Sequence, residues 1–212
     1  MQGEGSATML NIKFLLKSSK NDLMDISREP PPENAQRVEQ VNIKYAGGLG
    51  VLLAILIMVA MIMITRWRAD ELGVHIIVQG RQFAIKFLIS LPFVGLLFPV
   101  AHEFLHAIVY PRHSPKRIYL ANWQTYCEAK MSKRRFILSE LLPFLLLTIL
   151  PFVALMLLMP VLPAQETTIV LIWILYSVFA SLADLGASLA IAFSVPAKAK
   201  VFIQGVHLYL DV

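Results

Sequence analysis

The sequence predicts an all-α membrane protein, a bundle of about four transmembrane helices with a small β-hairpin in a cytoplasmic loop. Of the 212 residues, 57% are hydrophobic and only 16% are charged, and the mean hydropathy is +0.65. Soluble domains contain about 45–50% apolar and about 25% charged residues. In addition, four separate runs reach the length of about 20 apolar residues that a spanning helix needs.

The four spans are expected at about residues 45–65, 87–111, 137–160 and 167–195. The first span has no charged side chain, and the only charge in the fourth is Asp184. Together they form a transmembrane domain over residues 45–197, between an N-terminal tail at 1–44 and a C-terminal tail at 198–212. An even number of spans places both tails on the same side of the membrane.

The distribution of basic residues predicts the orientation. Fifteen of the 19 Lys and Arg residues fall in the two tails and in the loop between spans two and three, and four fall on the opposite side. Cytoplasmic loops collect Lys and Arg, so both termini and this loop are expected in the cytoplasm. The basic residues lie beside apolar runs, which favours the lipid bilayer and not a nucleic acid as their partner.

The loop between spans two and three has the pattern of a hairpin. Residues 117–121 and 125–131 are short runs rich in β-branched, aromatic and alternating side chains, and they flank Asn122, Trp123 and Gln124. Such runs around a turn are typical of paired strands.

A metal-hydrolase motif lies inside the second span. His102 and His106 are four residues apart, so on a helix both imidazoles project from one face and can bind one zinc ion. Glu103 lies next to them and can act as general base toward a water molecule. Three ionisable groups inside an apolar span cost free energy and usually mark a functional site. The lone cysteine, Cys127, excludes a cysteine-only zinc site.

Asp184 is the expected third ligand. A lone Asp in a span costs roughly 2.5–3.5 kcal/mol unless it finds a partner, and zinc is such a partner. Glu128, which follows His106 by 22 residues, is the main rival, and Glu140 is a more distant one.

These features resemble a known family. The run His102-Glu103-Phe104-Leu105-His106-Ala107 in a membrane helix, a basic loop with a hairpin, and an Asp in the last span are similar to the putative zincin peptidases. These are small bacterial membrane proteins, similar in pattern to site-2 proteases, and the resemblance covers about residues 85–212. It implies intramembrane cleavage, with two His and one Asp binding zinc. The chain departs from the Asn-Pro-Asp-Gly pattern of site-2 proteases, since residues 181–186 read Ser-Leu-Ala-Asp-Leu-Gly.

The leading hypothesis is therefore a zinc-dependent intramembrane peptidase in the bacterial cytoplasmic membrane. Its expected residues are Glu103 as general base and His102, His106 and Asp184 as zinc ligands, and its expected substrate is a membrane-anchored peptide or protein. Two alternatives remain open at this point. One is a zinc hydrolase acting on another amide or ester, and the other is a non-catalytic scaffold that binds zinc for structure.

Overall fold

The protein is mainly helical, with two small β-sheets. The computed structural model describes residues 12–15, 35–37, 40–74, 76, 80–112, 114–119, 124–127, 129–204 and 207–211. The helices in these ranges are α1 (Gln40–Leu72), α2 (Arg81–Pro92), α3 (Phe98–Val109), α4 (Lys133–Phe144), α5 (Leu150–Leu158), α6 (Ala164–Ala180) and α7 (Leu182–Ser194). Two π-helical segments, Phe93–Leu97 and Leu145–Ile149, join α2 to α3 and α4 to α5.

Prolines account for the position of both π-helical segments. Each segment ends two residues before a proline, Pro99 in α3 and Pro151 in α5. A proline has no N–H to donate, and its ring clashes with the carbonyl four residues earlier, so the helix widens locally. The sequence predicts a kink above the histidine motif at Pro99, and the structure places a widened helical turn there.

Within the part of the chain that the structure describes, three helical stretches are long and apolar enough to cross a membrane. They are Gly47–Leu72, Arg81–Val109 and Lys133–Leu158. Helices α6 and α7 pass the same test together, but they are bent by 44° at Ser181 and count as a fourth span only if the pair is one span. Length and composition thus support three to four spans close to the predicted positions.

The two sheets correct the all-α prediction. One sheet has the strand order β1 (Ile12–Leu15), β3 (Lys116–Tyr119), β4 (Gln124–Tyr126). The other has the order β2 (Ala35–Arg37), β7 (His207–Asp211), β6 (Lys200–Gln204), β5 (Met131–Ser132). The physical reason is visible in β7, where His-Leu-Tyr-Leu-Asp alternates polar and apolar side chains with the period of a strand. Both tails therefore contribute strands.

The predicted hairpin in the loop is confirmed. Strands β3 and β4 pair antiparallel, with Arg117 opposite Tyr126 and Tyr119 opposite Gln124. Strand β1 pairs with the other edge of β3 in parallel. The hairpin packs on α3, which places it beside the histidine motif.

Two side chains at the start of helix α4 hydrogen-bond to the C-terminal ends of two other helices. Lys133 Nζ donates to the carbonyls of Ala192 and Val195, both at 2.7 Å, at the C-terminal end of α7. Arg135 Nε donates to the carbonyl of Val109, the last residue of α3, at 2.6 Å. The last carbonyls of a helix have no partner within it, and cations there also interact favourably with the helix dipole. These bonds fix α3 and α7 relative to α4.

Helices α1 and α7 approach each other very closely at two glycines. A Cβ atom added to Gly50 would lie 2.9 Å from the Cα of Gly186 and 3.0 Å from the carbonyl oxygen of Leu182. Small residues allow such close approach of helix backbones. Ala54 and Leu185 are buried in the same apolar cluster, so α1 supports the helix that carries Asp184.

We expect Gly50→Ala to destabilise the fold by about 1–3 kcal/mol, because the added methyl group meets backbone atoms that must shift. Gly48→Ala is the matched control, since a Cβ there meets nothing within 4 Å. It should be neutral or stabilise by up to about 1 kcal/mol. Thermal unfolding of both variants in one detergent checks this. Equal stability of Gly50→Ala and the wild type would contradict the close approach.

Candidate metal centre

The motif residues lie on the buried face of α3. His102, Glu103 and His106 are 6%, 7% and 5% exposed, while Phe104 on another face is 38% exposed. The helix periodicity places residues four apart on the same side, so the two imidazoles face the same helices. The buried face packs on α4 and on the hairpin.

The three expected ligands come together. His102 Nε2 lies 2.9 Å from Asp184 Oδ2, His106 Nε2 lies 3.7 Å from the same oxygen, and the two Nε2 atoms are 3.2 Å apart. Asp184 is in the first turn of α7. Two nitrogens from α3 and one oxygen from α7 therefore form a compact triangle that could hold a metal ion.

The geometry and chemistry of this triangle fit zinc. Around a tetrahedral ion with ligands at about 2.0–2.1 Å, the ligand atoms are about 3.3 Å apart, close to the observed separations. Asp184 Oδ2 is buried and has no hydrogen bond of normal geometry with any described residue. Buried polar atoms rarely lack a partner, and a metal ion would supply one. Imidazole and carboxylate ligands are those that zinc commonly takes in proteins.

Helix α4 sets the tautomer of His106. His106 Nδ1 lies 2.9 Å from the backbone carbonyl oxygen of Ser139. A carbonyl can only accept a hydrogen bond, so Nδ1 carries the proton and Nε2 presents its lone pair to the triangle. Metal-binding histidines usually donate their other N–H to such a group. The outer nitrogen of His102, Nδ1, is buried and has no hydrogen-bond partner among the described residues.

Glu103 lies beside the triangle without belonging to it. Its carboxylate is buried and interacts electrostatically with both histidines and with Asp184. The hairpin supports its helical turn, because Thr125 Oγ1 donates to the backbone carbonyl of Glu103 at 2.8 Å. A carboxylate near two metal ligands, but outside the ligand set, is placed to exchange a proton with a water molecule.

The structure places the rival ligand Glu140 outside the triangle and does not describe the other rival, Glu128. Glu140 is buried, but its Oε1 lies 3.9 Å from His106 Nδ1, on the outer side of the ring, and it is not one of the residues in the triangle. Glu128 lies outside the residues that the structure describes. His75 and His113 also lie outside the described residues, and only the backbone of His207, in β7, is described.

Aromatic side chains close one side of the centre. The Phe98 ring lies 6.1 Å from the His102 ring and 5.7 Å from that of Tyr176 in α6. Trp173 packs edge-on against Tyr176 at 5.9 Å, and its Nε1 donates to Ser90 Oγ in α2 at 3.0 Å. The sequence analysis did not single out these residues. Phe98 falls four residues before His102, on the same helix face, which is the signal that could have found it.

Comparison with models of protein families gives a match. Residues 95–199, just under half of the chain, match the model of a family described as "Putative zincin peptidase". No curated protein matches the chain, and neither does any solved structure.

The matched region begins inside the π-helical segment before α3 and ends one residue before β6. It includes both histidines, Glu103 and Asp184. A zincin is a zinc-dependent peptidase, so the family description and the ligand triangle agree on the metal. The match supports a zincin-like family for this chain.

Proposed function

We propose that this protein is a membrane-embedded zinc-dependent peptidase that hydrolyses peptide bonds of membrane-anchored substrates near the cytoplasmic leaflet. The observation that carries the proposal is the convergence of His102, His106 and Asp184 from two helices, with Glu103 buried beside them. The match to a family of zincin peptidases supports a metallopeptidase activity independently of this geometry.

In this proposal His102 Nε2, His106 Nε2 and Asp184 Oδ2 hold the zinc ion. Zinc, when bound at such a site, lowers the pKa of a water molecule toward neutrality and polarises a carbonyl group. Three protein ligands leave a fourth position open, as is usual in catalytic zinc sites and unusual in structural ones. The ligand count therefore favours catalysis over a purely structural role.

Glu103 would transfer a proton from the attacking water to the leaving amine. As general base it takes a proton from the attacking water, and as general acid it gives that proton to the amine nitrogen when the peptide bond breaks. The bond from Thr125 to the Glu103 backbone and the packing of α3 on α4 hold this carboxylate in place. The Phe98 ring packs against the rings of both His102 and Tyr176.

The expected substrate follows from the position of the centre. The apolar lengths of the helices support insertion into a membrane, and the excess of Lys and Arg supports a cytoplasmic location of both termini. Tyr110 caps the C-terminal end of α3, which leads into the loop expected in the cytoplasm. Phe104, in the middle of the motif, lies six residues before Tyr110, a distance of about 9 Å along a helix. Substrates would therefore be cut near their cytoplasmic end.

The same experiments distinguish the peptidase from two other functions. A zinc hydrolase acting on a non-peptide amide or ester would need the same ligands and the same Glu103, because the centre specifies hydrolysis better than substrate. A non-catalytic scaffold would need the ligands but not Glu103.

Glu103→Gln should keep its zinc and lose activity, because the amide preserves size but cannot take a proton. The expected loss is about 10²–10⁴-fold, the usual contribution of a general base. Purified protein would be incubated with a library of membrane-segment peptides and with simple amides and esters, and products and zinc content would be quantified. Glu71→Gln is the matched control, since Glu71 pairs only with Arg68 on the surface.

Undiminished hydrolysis by Glu103→Gln would overturn the general-base role. Cleavage of esters or amides without cleavage of peptides would favour the hydrolase alternative. A wild-type protein that binds zinc but hydrolyses nothing in the library would favour the scaffold.

The orientation predicts that reporters fused at either terminus, or within the loop at residues 116–133, all report the cytoplasm. Reporters inserted between residues 73 and 80 should report the other side. The measurement is the activity of paired reporters, one active in each compartment. An external C-terminus would refute the four-span topology and the cytoplasmic cleavage position.

A further inference from the structure

The hydrogen bond that orients His106 ends on an unusual acceptor. His106 Nδ1 donates to the backbone carbonyl of Ser139 at 2.9 Å, and Ser139 lies inside helix α4. In an uninterrupted α-helix that carbonyl would accept from the N–H of the residue four positions later. A helical carbonyl is ordinarily occupied, so its use by a side chain of another helix needs an explanation.

The residue four positions later is Pro143, inside α4. Proline has no N–H, and its ring pushes against the carbonyl of the residue four positions before it. The Ser139 carbonyl therefore lacks its usual helical donor, the N–H four residues later. Because Ser139 is buried, an unsatisfied carbonyl there would cost free energy, and His106 supplies the missing donor.

We propose that Pro143 is a positioning residue for the metal centre, acting through the Ser139 carbonyl on His106. It leaves free the acceptor that keeps the proton on Nδ1 and directs the lone pair of Nε2 into the ligand triangle, in which Asp184 Oδ2 lies 3.7 Å away. The inference rests on the proposed zinc site. It assigns to a proline in α4, which contributes no ligand, a specific effect on metal affinity.

The same arrangement recurs in the next helical segment. The carbonyl of Leu147, four residues before Pro151, accepts a hydrogen bond from Ser177 Oγ of α6 at 3.0 Å. Ser177 also pairs with Thr148. In both cases a carbonyl four residues before a buried or half-buried proline bonds a side chain from a neighbouring helix. The second case involves none of the three candidate ligands, so the arrangement itself is a property of this stretch and not of metal binding.

No other described group near His106 offers its Nδ1 a hydrogen bond. Glu140 Oε1 is 3.9 Å from Nδ1, too far for a hydrogen bond, and Ser139 Oγ donates to the carbonyl of Phe136 at 2.7 Å. Among the described residues the Ser139 carbonyl is thus the one group that hydrogen-bonds Nδ1. Loss of this acceptor would leave the ring free to place its proton on Nε2, the atom needed for the metal.

Pro143→Ala and Pro143→Val both restore an N–H that competes for the Ser139 carbonyl. Two variants are used because alanine is smaller than proline and leaves a small gap at this buried site, whereas valine is larger and leaves none. Loss of an outer partner of a metal-binding histidine lowers affinity by about 10–100-fold, and because a carbonyl can accept two bonds we expect about tenfold. In ¹⁵N spectra of the metal-free protein, the Nδ1–H tautomer of His106 should also decrease.

The experiment uses full-length protein in detergent micelles, labelled with ¹⁵N-histidine, and zinc affinity measured by competition with a chromophoric chelator. The His106 signal is assigned by its loss in His106→Ala. Pro92→Ala is the matched control, because Pro92 is an exposed helical proline outside the centre. This control should match the wild type.

The inference is overturned if Pro143→Ala and Pro143→Val bind zinc as tightly as the wild type with an unchanged tautomer. It is also overturned if Pro92→Ala weakens binding equally, since the effect would then be general helix disturbance. A wild-type protein that binds no zinc would instead refute the proposed function, so the two failures are distinguishable.

Discussion

The central physical constraint is the burial of a carboxylate and two imidazoles among apolar helices. None of these groups can be satisfied by the Leu, Ile and Val side chains around them, and a single unpaired charge in such surroundings costs several kcal/mol. The structure gathers these groups at one place, with Asp184 Oδ2 2.9 Å from His102 Nε2, where one metal ion could satisfy all three. That contact requires α3 and α7 to adjoin, although their ligands are 82 residues apart in the sequence.

Several independent features hold the two ligand-bearing helices in place. Lys133 and Arg135, both in the first turn of α4, donate to the C-terminal carbonyls of α7 and α3. On the other side of α7, the contact between Gly50 and Gly186 brings α1 against it. Each feature uses a different interaction, a helix-terminal hydrogen bond in one case and close backbone packing in the other. The ligand triangle is therefore built by helices that contribute no ligand.

Much of the centre could be predicted from the sequence because its signals are local. The four-residue spacing of His102 and His106 fixes a common helix face, and Asp184 is the only charge in its span. The hairpin at β3 and β4 was also predictable from alternating residues. In contrast, the strands in the two tails were missed, because β1, β2, β6 and β7 have three to five residues each and belong to sheets that join segments far apart in the chain.

The contribution of α4 to the centre could not be predicted for a different reason. The acceptor for His106 is a backbone carbonyl. Every residue has a backbone carbonyl, so the identity of Ser139 gives no indication of this bond. Only Pro143, four positions later, marks it, and a proline in an apolar helix has many other uses. The link between this proline and a histidine 37 residues away becomes visible when α3 and α4 are packed together. Long-range contacts of this kind are set by tertiary packing.

The proposed function depends most directly on Asp184 as the third zinc ligand. The decisive measurement is zinc bound per chain in purified Asp184→Asn, beside Asp70→Asn as a matched control from the exposed end of α1 and Glu128→Gln as the rival. We expect Asp184→Asn to lose most of its zinc, as His102→Ala and His106→Ala should, while the other two variants retain it. Full zinc affinity in Asp184→Asn, with loss in Glu128→Gln, would contradict the ligand assignment and move the site to the loop.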